Sequence, residues 1–536
     1  MRLVTVINQV NRKLALPAPP RPWLPTLSEV LPLAELPPAR PGQGRIGLVD
    51  EPAGQRQVPA EFGLEDGGLL VYGTSGSGKT TLLRTLAVSM ALSMPPSELH
   101  VYGLDFATRG LKALDALPHC GGVVSGDEQE RAIRLLGMLR AEVERRKGLL
   151  AATGAATLSE YLGAGPAERL PHVLVLLDGY SGFVSMFESI EMGAHIDTLR
   201  MLVSEGRSVG IAFVISADRQ AGYLAALGSS IVRRVILRMA TDDEYAFLGL
   251  PRTAYAGAHL PAGRGFTEKG LEMQCPIVGE DPAGSAQAAA TTRIGAELRE
   301  RHGPATVPQV RLLPTEVRRA SLPASRAGLE AVVGIEDHGL QPVRIDLEDG
   351  HFLIAGPRRS GRTTALATFA ASLRAAPGAP ALHLLSPRRQ TPLAALGIWE
   401  SVALGAEACG DTVVRQAAAA RDRPDETGAA VLVIDDGEEL ADGTLPDLDW
   451  IAQRGRELGL RLLVAVETQA AQRAFAAWLL QVQRERQGIL LDPDTALDGT
   501  LLGGVQLPRR SGGRWPAGRG YLVQRGMVEL VQVACE

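Results

Sequence analysis

The segment GLEDGGLLVYGTSGSGKTTLL at 63–83 aligns without gaps on DLEDGHFLIAGPRRSGRTTAL at 346–366. A chain that carries one long motif twice at this separation is a tandem duplication, and each copy must supply its own core. Two further pairs keep the same order. Hydrophobic-proline straps, RPWLPTL (21–27) and VRLLPTE (310–316), precede the copies, and SEGRSVGIAFVISADR (204–219) and AQRGRELGLRLLVAVET (452–468) follow them. The repeating unit is therefore a domain of about 200 residues, far longer than the roughly 20–50-residue element of a solenoid. The 536 residues hold two such domains with their connections.

Composition narrows the class further. Hydrophobic residues at 45% and charged residues at 21% exclude a mostly disordered chain. A formal charge of −5 lacks the basic excess of a dedicated nucleic-acid binder. Cys120, Cys275, Cys409 and Cys535 stand far apart with no C-x-x-C, so neither a disulfide framework nor a zinc site is indicated and a reducing compartment is the simplest reading. The N-terminus has no signal-peptide pattern. The most apolar helical stretch, Leu82 to Met94, is broken by Arg84 and falls short of the ~20 residues that cross a bilayer. Work at a membrane would then need another component to hold the chain there.

In the first copy, apolar runs of strand length alternate with helical patterns: LLVY (69–72), HVYGLD (100–105), VLVLLD (173–178), IAFVIS (211–216) and VRRVILRM (232–239). The second copy offers FLIA (352–355), ALHLLS (381–386), VLVIDD (431–436) and RLLVAVE (461–467). This alternation predicts an α/β fold in which a mainly parallel sheet is flanked by helices on both faces. Pro-rich and Ala/Pro/Gly/Arg-rich stretches read as solvated connections. The expected organisation is an N-terminal strap and linker over 1–42, a first domain over 43–279, a linker over 280–328 and a second domain over 329–536.

After the strand LLVY comes Gly73-Thr74-Ser75-Gly76-Ser77-Gly78-Lys79-Thr80, followed by Thr81 and a helix-forming run. Glycines let such a loop turn its N–H groups inward around a phosphate, and the helix start adds unpaired N–H groups and a positive dipole end. Lys79 is expected to reach the β and γ phosphates and the Thr80 hydroxyl to bind Mg²⁺. The chain has five lysines against fifty arginines, so a lysine at this position is itself a signal. The second loop keeps Gly356, Ser360, Gly361 and Thr363 but has Arg362 in place of lysine and Pro357 in place of an N–H donor. A guanidinium is bulkier than an ammonium and cannot fill the same slot without rearrangement. Weak nucleotide binding and a loop kept only for packing both fit these residues.

A nucleotide-hydrolysing site of this kind needs a strand-end carboxylate for the Mg²⁺ shell and usually a second to polarise water. VLVLLDGY supplies Asp178 as the metal carboxylate, but Gly179 follows it. VLVIDDGE supplies Asp435 and Asp436, beside a loop that has lost its lysine. The copies have complementary defects, so slow turnover or tight holding of nucleotide is expected. Gly206-Arg207 and Gly455-Arg456 recur before a buried strand in both copies, which makes Arg207 and Arg456 candidates for arginine fingers reaching a neighbouring subunit's site, with Arg219 a further candidate. His119, with no second ligand at metal spacing, reads as structural.

The order GTSGSGKTT, LDFATRGL (104–111), LPHCGGVV (117–124), VLVLLDGY, EGRSVGIAFVISADR and PAGRGF (261–266) resembles the FtsK/SpoIIIE-type ATPases, and within them the C-terminal tandem ATPase half of the EccC motors of type VII (ESX) secretion. The resemblance runs from about residue 20 to the end and is stronger in the first copy. It implies two RecA-like P-loop NTPase domains, ATP and Mg²⁺ as cofactors, and an upstream membrane anchor and faster ATPase on the same or another polypeptide. This chain would then be a split-gene subunit, a truncated homologue or a fragment. Implied partners are secreted helical-hairpin dimers with a C-terminal signal, membrane-anchored secretion components and a homo-oligomer such as a hexamer, at the inner face of the cell membrane. A DNA translocase is the alternative, disfavoured by the acidic charge, and a non-hydrolysing nucleotide-bound scaffold is the other.

Overall fold

The computed structural model describes residues 2–15, 24–166, 168–218, 227, 230–303, 307–337, 339–422, 429–441, 443, 445–508 and 514–535. It divides into two compact units, Met1–Arg311 and Leu312–Glu536.

The strands of the first unit are β1 Gln43–Glu51, β2 Arg56–Gly63, β3 Gly68–Tyr72, β4 Leu99–Asp105, β5 Cys120–Ser125, β6 His172–Asp178, β7 Ile211–Ala217, β8 Arg233–Leu237, β9 Arg264–Thr267 and β10 Glu272–Gln274. Those of the second are β11 Glu330–Glu336, β12 Pro342–Asp346, β13 Phe352–Gly356, β14 Ala381–Ser386, β15 Ser401–Leu404, β16 Ala430–Ile434, β17 Leu460–Glu467, β18 Gly488–Leu491, β19 Arg519–Gln524 and β20 Met527–Val533. The first sheet runs β2-β1-β10-β9-β8-β3-β7-β6-β4-β5, and the second repeats this order strand for strand, β12-β11-β20-β19-β18-β13-β17-β16-β14-β15. From β8 to β5 neighbouring strands are parallel, and from β8 out to β2 they are antiparallel. Both sheets are mixed, with the apolar runs read from the sequence forming the parallel half.

Alternate residues of one strand feed separate cores, because successive side chains point to opposite faces. Leu70 and Tyr72 join one core and Leu69 and Val71 the other, as do Val173, Val175 and Leu177 against Leu174 and Leu176. Leu353 and Ala355 are divided from Phe352 and Ile354 in the same way. Strands buried on both faces show no polar alternation, which is why they read as continuous apolar runs.

Part of the stretch expected to be a solvated connection is packed structure. Gly284–His302 is a helix with Gln287, Thr291, Gly295 and Leu298 buried, and Gln287 accepts a hydrogen bond from Arg84 (2.6 Å). Its Ala-rich composition suits a helix as well as a linker, and composition alone does not separate the two. Residues 307–311 then run along the edge of the first sheet, where the Val310 N–H donates to the Gly121 carbonyl (2.9 Å) and the Tyr102 hydroxyl to the Pro308 carbonyl (3.0 Å). Among the described residues no helix is long and apolar enough to cross a membrane.

Candidate phosphate-binding sites

In each unit one loop joins a central strand to a helix, β3 to Lys79–Ser93 and β13 to Arg362–Arg374. The two loops share a backbone. Gly78 (φ +106°) and Gly361 (φ +101°) begin the helices in the left-handed region, and a Cβ on either would come within 2.9 Å of the amide nitrogen of Gly263 or Gly518. Those glycines belong to a repeat that the sequence reading took up in only one copy: Pro261-Ala262-Gly263-Arg264-Gly265 and Pro516-Ala517-Gly518-Arg519-Gly520. The Gly263 N–H donates to the Ser77 carbonyl and the Gly518 N–H to the Ser360 carbonyl, both at 2.8 Å. The buried arginine that follows holds the proline strap: Arg264 donates to the carbonyls of Leu27 (2.8 Å) and Ser28 (3.2 Å), and Arg519 to those of Leu313 and Pro314 (both 2.8 Å). The shared Pro-Ala-Gly-Arg-Gly run is the sequence signal that marks this pair.

In the first unit Lys79 is buried, and its Nζ donates to the carbonyls of Gly73 (2.6 Å) and Thr74 (2.9 Å) and pairs with Asp218 Oδ1 (2.8 Å). Thr80 Oγ1 donates to Asp178 Oδ2 and Ser216 Oγ to Asp178 Oδ1, each at 2.5 Å. Asp178 is fully buried, and burial pushes its carboxyl above the usual range, against the lowering effect of the two hydroxyl donors. Asp105, its register neighbour on β4, adds to the rise. Asp105 itself accepts from the N–H groups of Ala107, Arg109 and Leu111, so it shapes the loop after β4. That role, and the contributions of Ser216 and Asp218, carry no motif signature. The Ser77 hydroxyl is buried without a partner among the described residues, as is that of Ser360. Glycine-permitted loop backbone, a helix N-terminus, a buried lysine and a Thr–Asp pair form a donor set that fits a nucleotide phosphate with Mg²⁺.

The second site has the same shape and different electrostatics. Arg359 (φ +66°) takes the left-handed position of Gly76 (φ +70°), and Asp436 (φ +54°) that of Gly179 (φ +85°). Arg362 lies 3.5 Å from both Asp436 Oδ1 and Glu438 Oε1. Arg388 pairs with Asp436 Oδ2 (2.9 Å) and Glu439 Oε1 (3.0 Å). Asp435 accepts from Thr363 (3.3 Å) and Thr391 (3.0 Å), and burial, reinforced by Asp436, raises its pKa. The acidic pair thus faces the loop arginine. Pro357 costs the loop less than the sequence suggests, because the N–H of its counterpart Thr74 donates to the Arg238 carbonyl (2.9 Å).

Arg207 and Arg456 are not at these loops. The Arg207 side chain packs on Gly67 and donates to the Glu65 carbonyl (3.1 Å), before β3 begins, whereas the loop follows the end of β3. Arg456 lies just before β17, where its carbonyl accepts from Arg461 (3.0 Å). Each stands at the strand ends opposite the phosphate loop of its own unit. Arg219 lies outside the described residues. His119 is fully buried, its Nε2 bonded to the Met94 carbonyl (2.8 Å), and burial lowers its pKa to about 4.

A mixed sheet with a glycine-rich loop at the ends of its central strands, a lysine or arginine on the following helix and an acid ending a nearby strand defines a P-loop NTPase fold, here present twice. Residues 40–254 match the FtsK/SpoIIIE family, so the first unit carries an FtsK/SpoIIIE domain. The chain is 28% identical to the ESX secretion system protein EccC of Thermomonospora curvata over 97% of its own length and 42% of that protein. It is 29% identical to the ESX-4 secretion system protein EccC4 of Mycobacterium tuberculosis over 97% of its own length and 43% of that protein. It therefore spans about two fifths of these curated relatives. Its fold matches ATPases 2 and 3 of Geobacillus thermodenitrificans EssC with a TM-score of 0.79 at 23% identity, covering 96% of this chain and 100% of that one. It also matches ATPases 2 and 3 of Thermomonospora curvata EccC, solved with a signal sequence peptide, with a TM-score of 0.67 at 25% identity, covering 96% of this chain and 100% of that one.

Proposed function

We propose that this chain is the ATP-binding module of a type VII protein-secretion motor, in which the first unit holds Mg²⁺-ATP and the second docks substrate or regulates. The observation that carries the reading is the Lys79, Thr80 and Asp178 constellation, set in a duplicated fold that matches the paired ATPases of EccC and EssC from end to end. Lys79 and the loop N–H groups hold the β and γ phosphates, Thr80 and Asp178 hold Mg²⁺, and bound Mg²⁺ neutralises phosphate charge. Gly179 puts no second carboxylate directly after Asp178 to polarise water, and Asp105 on the next strand is committed to the N–H groups of Ala107, Arg109 and Leu111, so turnover by this chain alone is slow. Arg207 and Arg456, at the far strand ends, act on phosphate only across a subunit boundary in a ring such as a hexamer.

Docking by the second unit draws support from the duplication. Residues 307–311 cover the β5 edge in the first unit, while the corresponding β15 edge exposes Val402 and, on the helix after it, Val414. The substrates proposed are secreted helical-hairpin pairs with a C-terminal signal, met at the inner face of the membrane through anchored partners. Titration with a fluorescent ATP analogue and Mg²⁺ tests the first part: wild type binds, and Lys79→Ala binds at least about 100-fold more weakly. Capture of a secreted hairpin pair from the same gene neighbourhood tests the second. Nanomolar, salt-dependent binding to duplex DNA would replace this reading with a DNA translocase.

A further inference from the structure

We propose that Asp218 sets the nucleotide affinity of the first unit by competing with phosphate for the Lys79 ammonium. The inference rests on the first unit being an ATP site and concerns a residue with no place in the motifs that define one. Asp218 directly follows β7, the strand between β3, which feeds the phosphate loop, and β6, which ends in Asp178.

An ammonium has three protons, and Lys79 directs them at three acceptors: the Gly73 carbonyl, the Thr74 carbonyl and Asp218 Oδ1. A phosphate gains this cation only by displacing one of them. The two carbonyls are the backbone of the loop and are fixed by it. Asp218 is the movable one, since its side chain is 60% exposed and has no second partner among the described residues. Phosphate entry must therefore break an ion pair and bring like charge toward the released carboxylate. Both effects weaken binding.

The second unit supports the assignment by contrast. Its residue in the same register is Glu467, opposite Gly356 on β13. That carboxylate accepts the Ala470 N–H (2.8 Å) and caps the helix Thr468–Arg473, leaving Arg362 to Asp436 and Glu438. An acid at this strand end can thus serve the next helix, and in the first unit it is turned on the loop lysine instead.

The test is equilibrium binding of mant-ATP with Mg²⁺ to the full chain as wild type, Asp218→Asn, Asp218→Glu, Lys79→Ala and the Lys79→Ala/Asp218→Asn pair, each confirmed folded by its melting curve. Asp218→Asn should bind about five- to tenfold tighter, the scale of one partly exposed ion pair plus relieved repulsion. Asp218→Glu should stay near wild type, and in the Lys79→Ala background the gain should shrink to the part that relieved repulsion supplies, which a general loosening of the loop would not produce. If wild type binds and Lys79→Ala binds far more weakly, yet Asp218→Asn is unchanged or weaker, the competition is wrong while the ATP site stands. If no variant binds, the ATP site itself is wrong and the competition falls with it.

Discussion

Both phosphate loops hold their cation with carboxylates, but from different strand ends. Lys79 is met by an exposed aspartate after β7, and Arg362 by Asp436 and Glu438 after β16, with Arg388 as a second cation in the network. A single exposed carboxylate is a competitor that phosphate can displace. Nearly buried Asp436 and Glu438, braced against Arg362, are a replacement for phosphate. The backbone survives duplication because the Gly263 and Gly518 contacts and the arginine-held straps depend on packing, whereas the loop cation and the acids that hold it differ between the copies.

The largest expected effect falls on the side that keeps its lysine. Lys79→Ala should weaken Mg²⁺-ATP binding about 100-fold or more, roughly 3 kcal/mol for a charge-assisted contact to phosphate. Arg362→Ala should change binding little, since its fork is already committed to acids. Isothermal titration of both variants checks the asymmetry, and equal losses would break it. Next come the strap arginines, where the comparison predicts equality. Arg264→Met and Arg519→Met each strip a buried side chain of its carbonyl partners and should lower the stability of their own unit by about 2–4 kcal/mol in thermal unfolding.

Legibility in the sequence divided along physical lines. The parallel strands were readable because burial on both faces leaves unbroken apolar runs such as VLVLL (173–177). The antiparallel half was not, because strands such as Arg264–Thr267 and Glu272–Gln274 are short and partly polar and are stabilised by neighbours distant in sequence. Lys79, Thr80 and Asp178 were legible because their spacing is fixed by the loop and its strand. Asp218 and the Arg388 network were not, since an ion pair between strand ends leaves no periodicity. The second unit also contains no lysine, so Arg362 alone does not tell a lost function from compositional drift, and only its acidic partners decide.

Acid should erode both units, the first more steeply, because burial also lowers the pKa of its His100 to about 4. Burial lowers the pKa of His119 and of His351 from 6.5 to about 4. His351 is fixed as the neutral ring, with the Leu462 N–H donating to Nδ1 (3.0 Å) and Nε2 bonded to the Ala452 carbonyl (3.1 Å). Below pH 6.5 the unfolded chain takes up protons that the folded chain refuses until about pH 4. The stability is whole above pH 6.5 and declines as pH falls, by about 1.4 kcal/mol per pH unit for each such histidine. Melting curves between pH 7 and 4.5 should show both units losing stability, and His351→Gln should flatten the slope for the second unit only.

The smallest effect is the most discriminating. Asp436 sits at φ +54°, where the first unit has Gly179, and a non-glycine residue there carries a backbone cost of about 1 kcal/mol. The acid is retained at that cost, which is understandable if it neutralises Arg362 and Arg388. Asp436→Gly relieves the backbone but leaves Arg388 with Glu439 and Arg362 with Glu438 alone, so the net change in stability should stay within about 1 kcal/mol. Its informative consequence is at the loop. With one of its two acids gone, Arg362 can turn toward phosphate, and Asp436→Gly in a Lys79→Ala background should bind nucleotide more tightly than Lys79→Ala alone. If the double variant binds no more tightly, the second loop is closed by its shape, and the shared backbone in the two units is a weaker likeness than their glycines suggest.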